Sequence, residues 1–125
     1  MTGSAEGEET VAELRIDART EGPLGLLTLS GEGRLETIDT LRTEVRGLRA
    51  KGAKSLIVGV QSLGFVDSAS MGVLLELQED CVRDGGALVL HGVSVRLRRM
   101  LDGMGLSTRF QAVADEAAAR ALVSK

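Results

Sequence analysis

A short polar segment, residues 67–70 (Asp-Ser-Ala-Ser), separates the apolar run that ends at Val66 from residues with helical spacing. Aspartate or serine at a helix start accepts hydrogen bonds from the first free backbone N–H groups, which stabilises the helix by about 1 kcal/mol. If Asp67 is that cap, Ser68 lies on the first turn with its hydroxyl outward. The segment is therefore either a plain cap or a switch, because a phosphoryl group on Ser68 would add about −1.5 to −2 charges. The positive end of a helix tolerates such charge, whereas an acidic or apolar partner surface does not.

Catalytic patterns are incomplete in this sequence. Residues 68–72 approach the nucleophile elbow G-x-S-x-G with Ser70 at the centre, but a serine replaces the first glycine, which permits the sharp turn. The Walker A and dinucleotide-binding glycine patterns do not occur. His91 is the only histidine and Cys81 the only cysteine, so neither a His/Cys metal cluster nor an intramolecular disulfide can form. We therefore expect a protein that is not an enzyme and uses no metal or cofactor.

The charge and composition of the chain restrict its partners. A net charge of −3 disfavours binding to a phosphate backbone, and an aromatic content of 2% provides no stacking platform for single strands. No apolar run approaches the roughly 18 residues that a membrane helix needs, and the first residues lack the basic and apolar regions of a signal peptide. We expect no direct nucleic-acid partner, no membrane insertion and a cytoplasmic location.

The chain is predicted to contain one domain preceded by a short tail. Residues 1–9 are small and acidic, which is typical of a flexible segment, and the domain is expected over residues 10–125. Alternation of apolar and charged residues predicts a first strand at Val11–Asp17. A turn at Gly22 and Pro23 then leads to a second strand at Leu24–Leu29, paired with the first as a hairpin.

The remaining periodicity alternates between helices and strands, which predicts an α/β fold with a partly parallel sheet. The predicted elements are a helix over Leu35–Gly52, a strand over Ser55–Val60, a helix from Asp67 or Ser68 to Asp84, a strand over Ala87–Val93, a helix capped by Ser94 and reaching Leu101, a strand over Arg109–Val113 and a last helix opened by Asp115.

At residues 66–72, Val-Asp-Ser-Ala-Ser-Met-Gly, the chain resembles the STAS domain family, named for sulfate transporters and anti-sigma antagonists. The bacterial anti-sigma factor antagonists of that family carry an apolar residue and then Asp-Ser-Ser-Gly-Leu-Gly at the start of the second helix. Residues 30–32 resemble the family's Gly-Glu turn after the second strand, and residues 101–106 resemble its late helix, Gly-Leu and strand segment. The resemblance implies a single STAS-like domain with a mixed, largely parallel sheet of about four to five strands and about four helices.

The resemblance also implies a function and a set of site residues. A protein of this kind binds an anti-sigma factor with serine kinase activity and thereby releases a sigma factor; phosphorylation of the serine, here Ser68, weakens the complex, and a phosphatase reverses it. An alternative is a STAS adaptor that is never phosphorylated, as a subunit of an ABC lipid-transport system or of a stress-signalling assembly. The residues implied in partner binding are Gly31, Glu32, Arg34, Asp67, Ser68, Ala69, Ser70, Met71 and Gly72.

Three positions depart from the family pattern. Arg34 stands where the family often has an acid, so it is either a solvated arginine or a partner for a phosphate on Ser68. Ala69 replaces a family serine, and Ser70 replaces a family glycine, which makes Ser70 a rival phosphorylation site. Farther along the chain, the arginines at 96, 98 and 99 form either a solvated face or a secondary partner contact.

Overall fold

Five strands form one sheet in the computed structural model, which describes residues 13–123. In chain order they are β1 (Arg15–Glu21), β2 (Leu24–Gly33), β3 (Ser55–Val66), β4 (Leu88–His91) and β5 (Gln111–Val113). Their order in the sheet is the same. Strands β1 and β2 are antiparallel, and every later neighbouring pair is parallel. The prediction of a mixed, largely parallel α/β sheet is confirmed.

Helices connect the parallel strands. In residues 13–123 they are a 3₁₀ turn (Leu35–Thr37), α1 (Ile38–Ala50), α2 (Ser68–Arg83), α3 (Val95–Gly103) and α4 (Glu116–Val123). The prediction of one continuous helix from Leu35 was wrong at its start, because the first three residues form the 3₁₀ turn instead. None of the helices in the described range has both the length and the apolar character needed to span a bilayer.

The first hairpin lies later in the chain than the pattern predicted. Strand β1 covers Arg15–Glu21 because alternation continues past Asp17 up to the turn, where Glu21 pairs with Leu24. Gly22 adopts a φ of 59°, a conformation that costs glycine little. The predicted tail and the predicted start of this strand at Val11 lie outside the described residues.

Strands β2 and β3 both extend beyond their predicted ends at Leu29 and Val60. Their paired ends are irregular, with register shifts between Thr28 and Ser30 and between Gly31 and Glu32. Pairing nevertheless continues until Gly33 lies opposite Val66. The two strands therefore end side by side, and the residues that follow them, Arg34 and Asp67, emerge at the same edge of the sheet.

The core is divided by the sheet into two parts. A large cluster joins one face of the sheet to α1, α2 and α3, while a small cluster of Leu26, Ile57 and Val89 packs against Ala119 of α4 on the other face. Strand β3 contributes to both parts, which explains why its apolar run does not alternate with polar residues. Cys81 of α2 is a fully buried member of the large cluster, as expected for a small apolar side chain.

Candidate functional site

Asp67 caps α2 and ties it to the preceding 3₁₀ turn. Its Oδ1 accepts a hydrogen bond from the backbone N–H of Ser70 at 2.9 Å, and its Oδ2 accepts one from the N–H of Leu35 at 2.8 Å. The N–H of Asp67 donates to the carbonyl of Gly33 at 2.9 Å. Of the two caps that the sequence allowed, Asp67 and Ser68, the structure has Asp67. The same carboxylate also fixes the segment that follows β2.

The environment of Asp67 favours its ionised form. Burial is the largest single influence and raises the pKa of this carboxyl, but the hydrogen bonds from Ser70 and Leu35 and the positive charge of Arg34 together outweigh it. The pKa of Asp67 consequently lies below its ordinary value of 3.8. The contribution of Asp67 to stability is therefore fully present above that value and is lost as the pH falls through the lower pKa of the folded state.

We expect Asp67→Asn to lower the free energy of unfolding near neutral pH by about 1 kcal/mol, because an amide has one oxygen for two N–H donors. The deficit should shrink as the pH is lowered below 3.8 and through the lower pKa of the folded state, because the wild-type carboxylate then becomes protonated itself. Urea unfolding of both proteins across this pH range measures the difference. A deficit that stays constant with pH would show that the charge of Asp67 contributes nothing.

The two serines of this segment have opposite environments. Ser68, the first residue of α2, is exposed. Ser70 is only 3% exposed, and its buried hydroxyl has no hydrogen-bond partner among residues 13–123. It faces Gly33, where an added Cβ would lie 3.4 Å from both the Cβ and the Oγ of Ser70. A modifying enzyme can therefore approach Ser68 on the folded protein, whereas access to Ser70 requires the first turn of α2 to open.

The side chain of Arg34 contacts Glu32 and Phe65. Its Nε lies 2.8 Å from Oε1 of Glu32, and its guanidinium lies 4.4 Å from the centre of the Phe65 ring. Glu32 and Phe65 are directly opposite each other in the β2–β3 ladder. This pairing escaped the sequence analysis, because it depends on the register of the irregular strand ends rather than on any spacing along the chain.

Leu35 is a large apolar side chain on the surface, 66% exposed. A groove of about 400 Å³ lies near the end of β2, between the residues that flank Leu35 in the chain and other segments. The groove is lined by Glu13, Leu14, Glu32, Arg34, Glu36, Thr37 and Thr40. The sequence pattern placed Leu35 on the buried face of a helix, because it lies three residues before Ile38. In the structure Leu35 belongs instead to the 3₁₀ turn that precedes α1, and no residue of that turn is buried.

The other residues implied in partner binding differ in their exposure to solvent. Gly31, Glu32, Asp67, Ala69 and Gly72 are partly exposed, so they can contribute backbone or side-chain contacts. Met71 is only 2% exposed and packs in the large core cluster. The exposed part of the candidate site therefore consists of Ser68, Arg34 and the neighbouring Leu35.

The polar groups of the site include the hydroxyl of Ser68 and the carboxylate of Asp67. Between residues 13 and 123, no group of three or more His, Cys, Asp or Glu side chains could hold a metal ion. The only histidine, His91, is 9% exposed at the end of β4, next to Gly59. Chemically, the arrangement suits a surface that accepts a modification and contacts another protein.

Comparisons with known proteins agree with this architecture. A family model described as the STAS domain matches residues 15–119. The anti-sigma F factor antagonist of Paenibacillus polymyxa is 26% identical over 94 residues, which cover 74% of this chain and 80% of that protein. An anti-sigma factor antagonist from Mycobacterium paratuberculosis has a similar structure, with a TM-score of 0.77, 16% identity and coverage of 90% of this chain and 96% of that one. The phosphorylated form of SpoIIAA from Bacillus gives a TM-score of 0.65 at 17% identity, with coverage of 88% and 99%.

Proposed function

The chain belongs to the STAS domain family, and from that premise we propose that it is an anti-sigma factor antagonist switched by phosphorylation. It binds a cytoplasmic anti-sigma factor that has serine kinase activity, and this binding releases a sigma factor. The kinase inactivates the antagonist by phosphorylating Ser68, and a phosphatase restores it. The observation that carries the proposal is the exposed hydroxyl of Ser68 at the start of a capped helix.

The contrast between the two serines supports Ser68 as the acceptor. Ser68 is exposed, whereas the hydroxyl of Ser70 is buried beneath the first turn of α2. In this role the kinase supplies ATP and the phosphoryl-transfer chemistry, while the chain supplies only the accepting oxygen. The likeness to an anti-sigma F factor antagonist supports the class of partner, and the phosphorylated SpoIIAA is a precedent for phosphorylation on this fold.

The surroundings of Ser68 explain how a phosphate would act on docking rather than on folding. The positive end of α2 stabilises negative charge near its first residue. The carboxylate of Asp67 also holds Leu35 beside α2, because it accepts a hydrogen bond from the N–H of Leu35. The side chain of Leu35 is 66% exposed. A partner that covers Leu35 removes water from the neighbouring Ser68, and burial of an unpaired phosphate costs far more than burial of a hydroxyl. The phosphorylated chain therefore stays folded but loses its partner.

We expect one phosphoryl group to be transferred when the chain is incubated with ATP and the anti-sigma serine kinases encoded in the same genome. Intact mass counts the groups, and peptide mapping locates them. Ser68→Ala should accept none, and Ser70→Ala should accept one at position 68. Modification confined to Ser70 or to another residue would contradict the proposal. A chain that binds none of the kinases but co-purifies with transporter subunits would be the adaptor instead.

A further inference from the structure

Three of the six arginines that form no ion pair within residues 13–123 stand close together on α3. Arg96, Arg98 and Arg99 are exposed, and none of them forms an ion pair within residues 13–123. The arginines that do form ion pairs in this range are Arg19, Arg34, Arg42, Arg49, Arg83 and Arg120. The chain has more acids than bases, 18 against 15. A cluster of three unpaired arginines is therefore a local excess of positive charge in an acidic protein.

The geometry of α3 directs this charge outward. Leu97 and Leu101 are 3% exposed and anchor the helix in the core, and Ser94 caps its start by accepting a hydrogen bond from the N–H of Leu97 at 3.0 Å. At about 100° per residue, Arg99 lies opposite these two leucines, at the centre of the exposed face. Arg96 and Arg98 lie about 60° and about 100° to its two sides.

The same face carries an apolar side chain and one acid. Val95 is 71% exposed, next to the arginines on the first turn. Asp102 is the only acid of the helix, so three arginines and one aspartate leave a charge of 3 − 1 = +2 on α3 in a chain of net charge −3. Arginine is among the residue types enriched in protein–protein interfaces.

The position of α3 connects it with the candidate site. Strands β2, β3 and β4 are parallel, so α2 begins at the sheet edge where β3 ends and α3 begins at the edge where β4 ends. Gly92, just before α3, packs closely on β3, since a Cβ added to it would lie 2.9 Å from the Cβ of Gln61. The first turns of α2 and α3, which carry Ser68 and Val95, therefore both follow the carboxyl ends of parallel strands, although β3 continues to Val66, beyond Gly59, which pairs with the last residue of β4.

We propose that Val95, Arg96, Arg98 and Arg99, here called the α3 face, form a second docking surface for an acidic segment of the anti-sigma partner. The inference rests on the function proposed above and adds a region that the STAS resemblance does not assign. A planar guanidinium group can bind a carboxylate in a bidentate geometry, with two parallel N–H···O hydrogen bonds. A membrane is a poorer occupant, because the apolar side of α3 is already buried and leaves only Val95 to insert. The acidic net charge also disfavours nucleic acid.

The matched test reverses two charges on the α3 face and two elsewhere. Arg96→Glu/Arg99→Glu should weaken binding to the anti-sigma kinase by about tenfold or more at low salt, and the loss should diminish at high salt. Arg15→Glu/Arg46→Glu changes the net charge equally at exposed arginines on β1 and α1 that form no ion pair within residues 13–123, and it should change binding by no more than about twofold. Thermal unfolding of both variants verifies that they fold. Equal losses in the two variants, or no loss in either, would overturn the proposal.

A second measurement examines the α3 face without the kinase. Titration of the wild-type chain with a decaglutamate peptide should shift the amide resonances of residues 95–102, and Arg96→Glu/Arg99→Glu should abolish those shifts. If no kinase binds the wild type but decaglutamate still shifts α3, the proposed function fails while recognition of acidic protein segments by α3 stands. The α3 face would not be a docking surface for acidic protein segments if decaglutamate caused no shifts on α3. The same conclusion would follow if an oligonucleotide or anionic lipid vesicles bound there more tightly.

Discussion

Ser68→Asp is expected to weaken binding to the anti-sigma kinase by at least about tenfold, or about 1.4 kcal/mol, while the protein remains folded. The thermal midpoint should stay within a few degrees of the wild type, because the start of a helix tolerates an acid. The loss of affinity arises where the partner removes water from position 68, next to Leu35, which is 66% exposed. Isothermal titration calorimetry and differential scanning calorimetry measure the two quantities on the same samples.

Two further substitutions at this position separate charge from shape. Ser68→Asn has nearly the same size as Ser68→Asp but no charge, and Ser68→Ala removes only the hydroxyl. We expect both to bind the kinase within about threefold of the wild type, a difference of less than 1 kcal/mol. If the asparagine variant binds as weakly as the aspartate variant, bulk rather than charge controls docking. If the aspartate variant binds as well as the wild type, the switch hypothesis fails.

The parts of the fold that sequence patterns predicted are those governed by local chemistry. The unbroken apolar run at the start of β3 indicated a strand covered on both faces, and its side chains do reach both parts of the core. Asp67 precedes a helical pattern and caps it. Ser94 and Asp115 are two further caps that the sequence indicated, and each accepts the expected N–H hydrogen bond. In the three caps the interacting groups lie only three residues apart.

The parts that escaped prediction depend on contacts between distant segments. The apolar run that ends at Val60 predicted the end of β3 there, but pairing with β2 continues through two register shifts to Val66. That extension brings the Phe65 ring beneath the guanidinium of Arg34. It also allows the N–H of Leu35 to donate a hydrogen bond to the carboxylate of Asp67. The exposure of Leu35 and the burial of Ser70 follow from the same arrangement. A linear pattern contains no information on strand register when the pairing is irregular.

The end of β2 should be sensitive to a single methyl group. Gly31 has a φ of 90°, and an added Cβ would lie 2.0 Å from the carbonyl oxygen of Glu13. Because that neighbour is backbone, relief requires β1 or β2 to move. We expect Gly31→Ala to lower the free energy of unfolding by at least about 2 kcal/mol, since it combines an unfavourable backbone conformation with a clash.

Gly47 is the matched control for this substitution. It lies within α1, and among residues 13–123 an added Cβ would have no atom within 4 Å apart from its chain neighbours and the nearby backbone of the helix itself. Gly47→Ala should therefore raise the free energy of unfolding by about 0.5 to 1 kcal/mol, because alanine favours the helix. Urea unfolding of both variants gives the two changes, which should have opposite signs. A Gly31→Ala protein as stable as the wild type would mean that β1 and β2 are not packed at this point as described. Movement of β2 would also displace Leu35 from Asp67, so kinase binding should fall in Gly31→Ala and be retained in Gly47→Ala.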